Sequence, residues 1–97
     1  MVTLILWETN YSLMPTDPEE RMKLIQSQIE MTKKAVDSGQ IKMWGISPGG
    51  GSGFSVTEGD AKEIFAGTAM YAPYTKFVVK PMLSIDEVID VMKGMQR

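Results

Sequence analysis

Along this chain the spacing of apolar residues alternates between period two and a period of three to four, and each change marks an element boundary. Val2 to Thr9 is a nearly continuous run of β-branched and large apolar residues, which predicts a strand buried on both faces. One face carries Thr3, Ile5 and Trp7; the other carries Leu4, Leu6 and Glu8. A surface strand needs only one apolar face. Helices are therefore expected over one side, and a second subunit over the other.

Asn10 to Thr16 reads as a loop, after which Asp17, Pro18 and Glu20 supply an N-cap, a proline at N1 and a capping-box glutamate. The helix that follows carries Met22, Ile25, Ile29, Thr32 and Val36 as its inner stripe, with Glu19–Lys23 and Glu30–Lys34 pairs outside. Gly39 stops it. Ile41 to Ser47 and Gly53 to Thr57 then read as a hairpin with a loose tip, Pro48 to Ser52. Alternation predicts Trp44, Ile46, Phe54 and Val56 against the helices, and a small-residue face of Met43, Gly45, Gly53 and Ser55 opposite.

A second helix is expected from Glu58 to Tyr71, with Ala61, Ile64, Phe65 and Thr68 inward, ending ahead of Pro73. Thr75 to Pro81 is the last strand. Ser84 and Glu87 form a capping box that opens a short C-terminal helix, expected to bury Ile85, Val88, Ile89 and Met92.

The order β-α-β-β-α-β plus a closing helix predicts an α+β domain over residues 1–97, a ferredoxin-like split βαβ unit with both main helices on one face of an antiparallel sheet. The other face is then bare, and an apolar bare face favours association of two sheets. This layout resembles the dimeric α+β barrel superfamily, which includes muconolactone-isomerase-like proteins, antibiotic-biosynthesis monooxygenases and several small families without assigned function. The stretches that carry the resemblance are Leu4-Ile5-Leu6-Trp7, Trp44-Gly45 and Tyr71-Ala72-Pro73-Tyr74, and it is closest to the members of unassigned function. The resemblance implies a homodimer. The superfamily's cofactor-free monooxygenases and YCII-like members commonly use histidine, and this chain has none, so those catalytic residues have no counterpart here.

Composition narrows the chemistry further. With no cysteine there are no disulfides or thiol nucleophiles, and a small unstapled domain gains stability by oligomerising. A net charge of -2 with mixed signs offers no basic surface for phosphates, so nucleic acid is not an expected partner. Neither is a membrane, since the longest apolar run, Leu4 to Trp7, is far too short to span one, and the N-terminus has no secretion-signal pattern. A cytoplasmic location is expected, with no cofactor. The 43% apolar fraction is that of a folding chain.

The glycine run Gly49-Gly50-Gly51-Ser52-Gly53 could form an anion nest, but no lysine follows it and a strand, not a helix, comes next, unlike a phosphate-binding loop. It reads as a flexible hairpin tip, with a mobile flap at a cavity mouth as the functional alternative. Asp86, Glu87 and Asp90 read as the acidic first turns of the last helix rather than a metal site, so no metal is expected. Glu8 is the candidate catalytic base, set against pairing with Lys76 or Lys80 at the sheet. Trp7, Trp44, Tyr71 and Tyr74 are the candidate ligand-binding residues, an apolar lining with a few indole and hydroxyl donors. Two functions are consistent with these residues. One is a homodimer that binds a small apolar or aromatic molecule between sheet and helices. The other is a cofactor-independent isomerase or monooxygenase on a small aromatic or carbonyl compound.

Overall fold

A computed structural model describes residues 2–96. It is an α+β structure in which β1 (Val2–Thr9), α1 (Pro18–Asp37), β2 (Ile41–Ile46), β3 (Ser52–Glu58), α2 (Ala61–Ala69), β4 (Thr75–Met82) and α3 (Ile85–Met95) follow in order, with a 3-10 turn at Tyr11–Leu13. The strands form one antiparallel sheet in the order β2-β3-β1-β4, consistent with a ferredoxin-like βαββαβ fold.

Local chemistry sets the helix ends. Asp17 accepts a hydrogen bond from the Glu20 N–H at 3.0 Å with Pro18 beside it, although the reciprocal bond of a full capping box is not formed. Gly39 closes α1 in the left-handed region at φ +84°. The second helix begins later than its sequence suggests, because Glu58 completes β3, Gly59 turns at φ +146° and Asp60 is the N-cap of a capping box with Glu63. Ser84 and Glu87 make the expected capping box on α3.

Register decides which side chains meet the helices. β1 pairs Ile5 with Ser55 and Trp7 with Gly53, so the helix side of the sheet carries Thr3, Ile5, Trp7, Gly53, Ser55 and Thr57. In the hairpin Trp44 lies opposite Ser55 and Ile46 opposite Gly53, while Gly45 lies opposite Phe54 and Met43 opposite Val56. Trp44 and Ile46 therefore share the helix side as expected, but Phe54 and Val56 are on the open side, and Gly53 and Ser55 are not. The pairing of Ile46 with Gly53 and an irregularity between Ile41 and Met43 fix that phase.

The core is thin and partly polar. Ile5, Met14 and Ile64 are its buried apolar side chains among the described residues, joined by Thr3, Ser55 and Thr57. Along α1, Ile25 and Thr32 are half-buried, whereas Met22, Ile29 and Val36 are exposed; on α2, Ile64 is buried and Phe65 is 74% exposed. The expected Glu19–Lys23 and Glu30–Lys34 pairs do not form, and the ion pairs among the described residues are Lys33–Asp37 at 2.8 Å and Lys42–Glu58 at 3.5 Å. The expectation that α3 buries Ile85, Val88, Ile89 and Met92 fails within one chain: Ile85 is 72%, Met92 53% and Ile89 41% exposed, and Val88 alone is half-buried. The molecule measures 62 × 25 × 25 Å.

Candidate functional site

Small residues on the helix side of β3 make room for large ones on its neighbours. A Cβ on Gly53 would strike the Gly45 carbonyl oxygen and approach the Trp7 ring to 2.6 Å, so the Trp7 indole lies directly over this glycine. Trp44 reaches the same place from the other side of β3, and the two indoles stack with centroids 5.7 Å apart and planes 15° from parallel.

The stack forms one wall of a cavity of about 760 Å³ between the sheet and the two main helices. Ile5, Ser55 and Thr57 line it from the sheet, Ile25, Gln28 and Thr32 from α1, and Ile64, Thr68 and Tyr71 from α2 and the turn after it. Tyr71 is held in place twice. Its hydroxyl lies 2.7 Å from Thr32 Oγ1, and its ring meets Phe77 edge-on at 6.0 Å. Because the Thr32 hydroxyl donates to the Gln28 carbonyl at 2.9 Å, the Tyr71 hydroxyl is the donor to Thr32.

Polar character inside this space is uncharged. Ser55 Oγ and Thr57 Oγ1 are 3.3 Å apart on the sheet, and Trp7 Nε1 and Gln28 Nε2 are buried without a hydrogen-bond partner among the described residues. Arg21, Lys34 and Glu63 also border the cavity; all three residues are half-buried or exposed, so their charges meet solvent.

The glycine run contributes to the lining. Gly50 and Gly51 line the cavity in left-handed conformations, at φ +71° and +79°, and a Cβ on Gly51 would strike the Tyr11 hydroxyl. Its tip is tied rather than loose: the Thr9 N–H donates to the Gly51 carbonyl at 2.7 Å, and the Ser47 N–H to the Ser52 carbonyl at 2.9 Å.

Of the residues singled out from the sequence, Trp7, Trp44 and Tyr71 come together around the cavity, while Tyr74 does not line it. Glu8 lies on the opposite, open side of the sheet, exposed and paired in register with Lys76. Ser55, expected on the small-residue face away from the helices, instead lines the cavity, and Thr57 and Gln28 are site residues that were not singled out from the sequence. For Ser55 and Thr57 the signal is a run of small polar residues on β3 where large apolar ones would fill a core; Gln28, on α1, has no such signal. Among the described residues no group of three or more acidic, His or Cys side chains could hold a metal ion, and no helix is long and apolar enough to cross a membrane.

Fold and cavity together define a small α+β protein with an open sheet on one side and an aromatic-walled chamber on the other. The chain matches the family described as Domain of unknown function (DUF3303) over residues 5–96, and it belongs to that family. No curated protein matches it.

Proposed function

We propose that this is a homodimeric protein of the dimeric α+β barrel kind that binds a small apolar or aromatic molecule between its sheet and its helices. The observation that carries the binding reading is the Trp7–Trp44 stack as a wall of a chamber of about 760 Å³, inside the size range of small-molecule sites. A protein interior is normally packed to crystal density, so an apolar space this large beside a thin core is a place for a guest.

Surface area supports the dimer. A chain of 10.8 kDa folded compactly exposes about 5,500 Å². This one exposes 7088 Å². The excess, roughly 1,500 Å² per copy, is what each partner of an obligate homodimer buries. The open face of the sheet, with Leu6, Met43 and Val78 exposed, supplies an apolar patch for that contact.

The alternative is an isomerase or monooxygenase in which a side chain moves a proton on the guest. Glu8, on the far side of the sheet, is not placed to do so from this cavity, which leaves the Tyr71 hydroxyl as the group such chemistry would use.

Both tryptophans of the chain line the cavity, so intrinsic fluorescence reads it directly. Small aromatic and carbonyl compounds that enter should quench or shift that emission and raise the melting temperature, by mass action about 2.7 kcal/mol at a hundredfold excess over Kd. Trp44→Ala should abolish both responses. A panel of such compounds that moves neither the emission nor the melting temperature at millimolar concentration would defeat the reading.

A further inference from the structure

The face that α1 turns to the cavity begins with an arginine. Arg21, Ile25, Gln28 and Thr32 follow one another at four-, three- and four-residue spacing, so they share one side of the helix, and all of them line the cavity. Arg21 is half-buried there and forms no ion pair among the described residues. Asp17, four residues before it, has the spacing for such a pair but caps the helix instead, accepting the Glu20 N–H at 3.0 Å. On the exposed side of the same helix that spacing does produce a pair, Lys33 with Asp37 at 2.8 Å. The Arg21 guanidinium donates one long hydrogen bond, from Nη2 to the Thr16 carbonyl at 3.4 Å, which leaves most of its donor fork open.

The other charged groups bordering the cavity agree in sign. Lys34 is exposed and unpaired among the described residues, while Glu63, the one carboxylate of the lining, accepts the Asp60 N–H at 3.2 Å in the capping box of α2. A chain of net charge -2 thus borders its apolar chamber with two unpaired cations and one engaged carboxylate. Apolar walls focus such a field into the space between them. We propose that the guest is a monocarboxylic acid with an aromatic or apolar body, which lies against the Trp7–Trp44 stack while its carboxylate takes the open fork of Arg21. A planar guanidinium meets a carboxylate through two parallel N–H···O bonds, a match that the ammonium of Lys34 does not offer. Because Arg21 is only half-buried, the acid keeps part of its hydration as its body leaves water. One guanidinium offsets one negative charge, whereas a phosphate ester would bring a further charge with no second cation among Arg21, Ile25, Gln28 and Thr32.

This assignment rests on the binding reading of the cavity, and a matched pair of probes separates the two. 3-Phenylpropionate and 3-phenylpropionamide share ring and length and differ in charge. Titrated into the full chain at low salt and followed by tryptophan emission, the acid should bind about tenfold more tightly than the amide, the scale of a hydrogen bond to a charged group. Added salt should weaken the acid and leave the amide unchanged, because a partly exposed ion pair is screened. Arg21→Gln should erase the preference with amide binding retained, which also reports that the variant is folded, and Lys34→Gln should keep the preference. Equal affinities in the parent chain, a tighter amide, or a preference indifferent to salt would each overturn the acid while the chamber still binds. So would a preference that survives Arg21→Gln or disappears in Lys34→Gln. If Arg21→Gln loses its circular dichroism signal, the parent chain's preference and salt dependence decide the matter, together with Arg21→Lys, in which the preference should shrink and amide binding persist. If neither probe perturbs the emission at millimolar concentration, the acid and the binding reading fall together.

Discussion

Trp7 and Trp44 stack face to face although they stand on strands that are not neighbours in the sheet. They meet because β3 between them carries Gly53 and Ser55 at the positions where they cross, and nothing larger would let two indoles close over it.

Gly53 is thus the least replaceable position in the sheet. Its φ is not in the left-handed region, so backbone strain is not the issue; space is. Gly53→Ala places a methyl on the Gly45 carbonyl oxygen and the Trp7 ring, neither of which is the free end of a flexible side chain. The loss should be about 1–3 kcal/mol, the usual cost of overpacking, read from the urea midpoint at constant m. Gly67→Ala, with open space around it on α2, should instead be neutral or mildly stabilising.

Tyr71→Phe removes the donor to Thr32 and keeps the ring against Phe77. Thr32 retains its bond to the Gln28 carbonyl, so only one interaction is lost, at about 0.5–1.5 kcal/mol. If the cavity binds by shape, guests should be held within a few-fold of the parent affinity; if it catalyses proton transfer through this hydroxyl, turnover should disappear while binding persists. Fluorescence titration beside product analysis distinguishes the two.

Element order and the strongest caps were legible in the residues, because Pro18 after Asp17, Gly39, and Ser84 with Glu87 each act within one turn of chain. The phase of the hairpin was not. Whether Phe54 or Gly53 faces the helices depends on pairing between β3 and its neighbours, and period-two alternation fits either face equally well. The same limit hid the site: Trp7, Trp44 and Tyr71 stand out by type, but that Ser55 and Gln28 join them follows only from the register and from the turn of α1. For α3 the pattern correctly showed an apolar face and wrongly assigned it to the core of its own chain. Amphipathicity reports that a face needs covering and is silent on what covers it.

Acid should loosen α3 before it reaches the sheet. Glu87 accepts the Ser84 N–H at 3.0 Å, and hydrogen bonding from the Ser84 backbone and then its side chain holds the carboxyl below its ordinary range. A depressed carboxylate contributes stability above its unfolded-state pKa and loses it as pH falls through the folded value, so the effect is confined to pH below about 4.3. Helical ellipticity at 222 nm should fall in that window, and the fall should be smaller in Glu87→Gln, whose amide can keep the cap without titrating. Equal acid curves for the two chains would show that the cap does not govern α3.

The open face of the sheet offers the sharpest mutational test of self-association. Leu6 and Phe54 lie opposite each other in register on that side, with Val56 and Val78 beside them, and neither touches the cavity wall. A charge placed there in a dimer would be desolvated and unpaired, which is costly, whereas in a monomer it would meet water at little cost. Leu6→Glu should therefore shift sedimentation from dimer to monomer over a micromolar concentration range and weaken apparent thermal stability, because an obligate dimer's stability depends on protomer concentration. Trp7→Phe, on the opposite face of the same strand, should alter guest binding and leave the sedimentation profile unchanged. A Leu6→Glu chain that sediments like the parent would remove the open face from the interface and would leave the excess surface of the chain to be covered elsewhere.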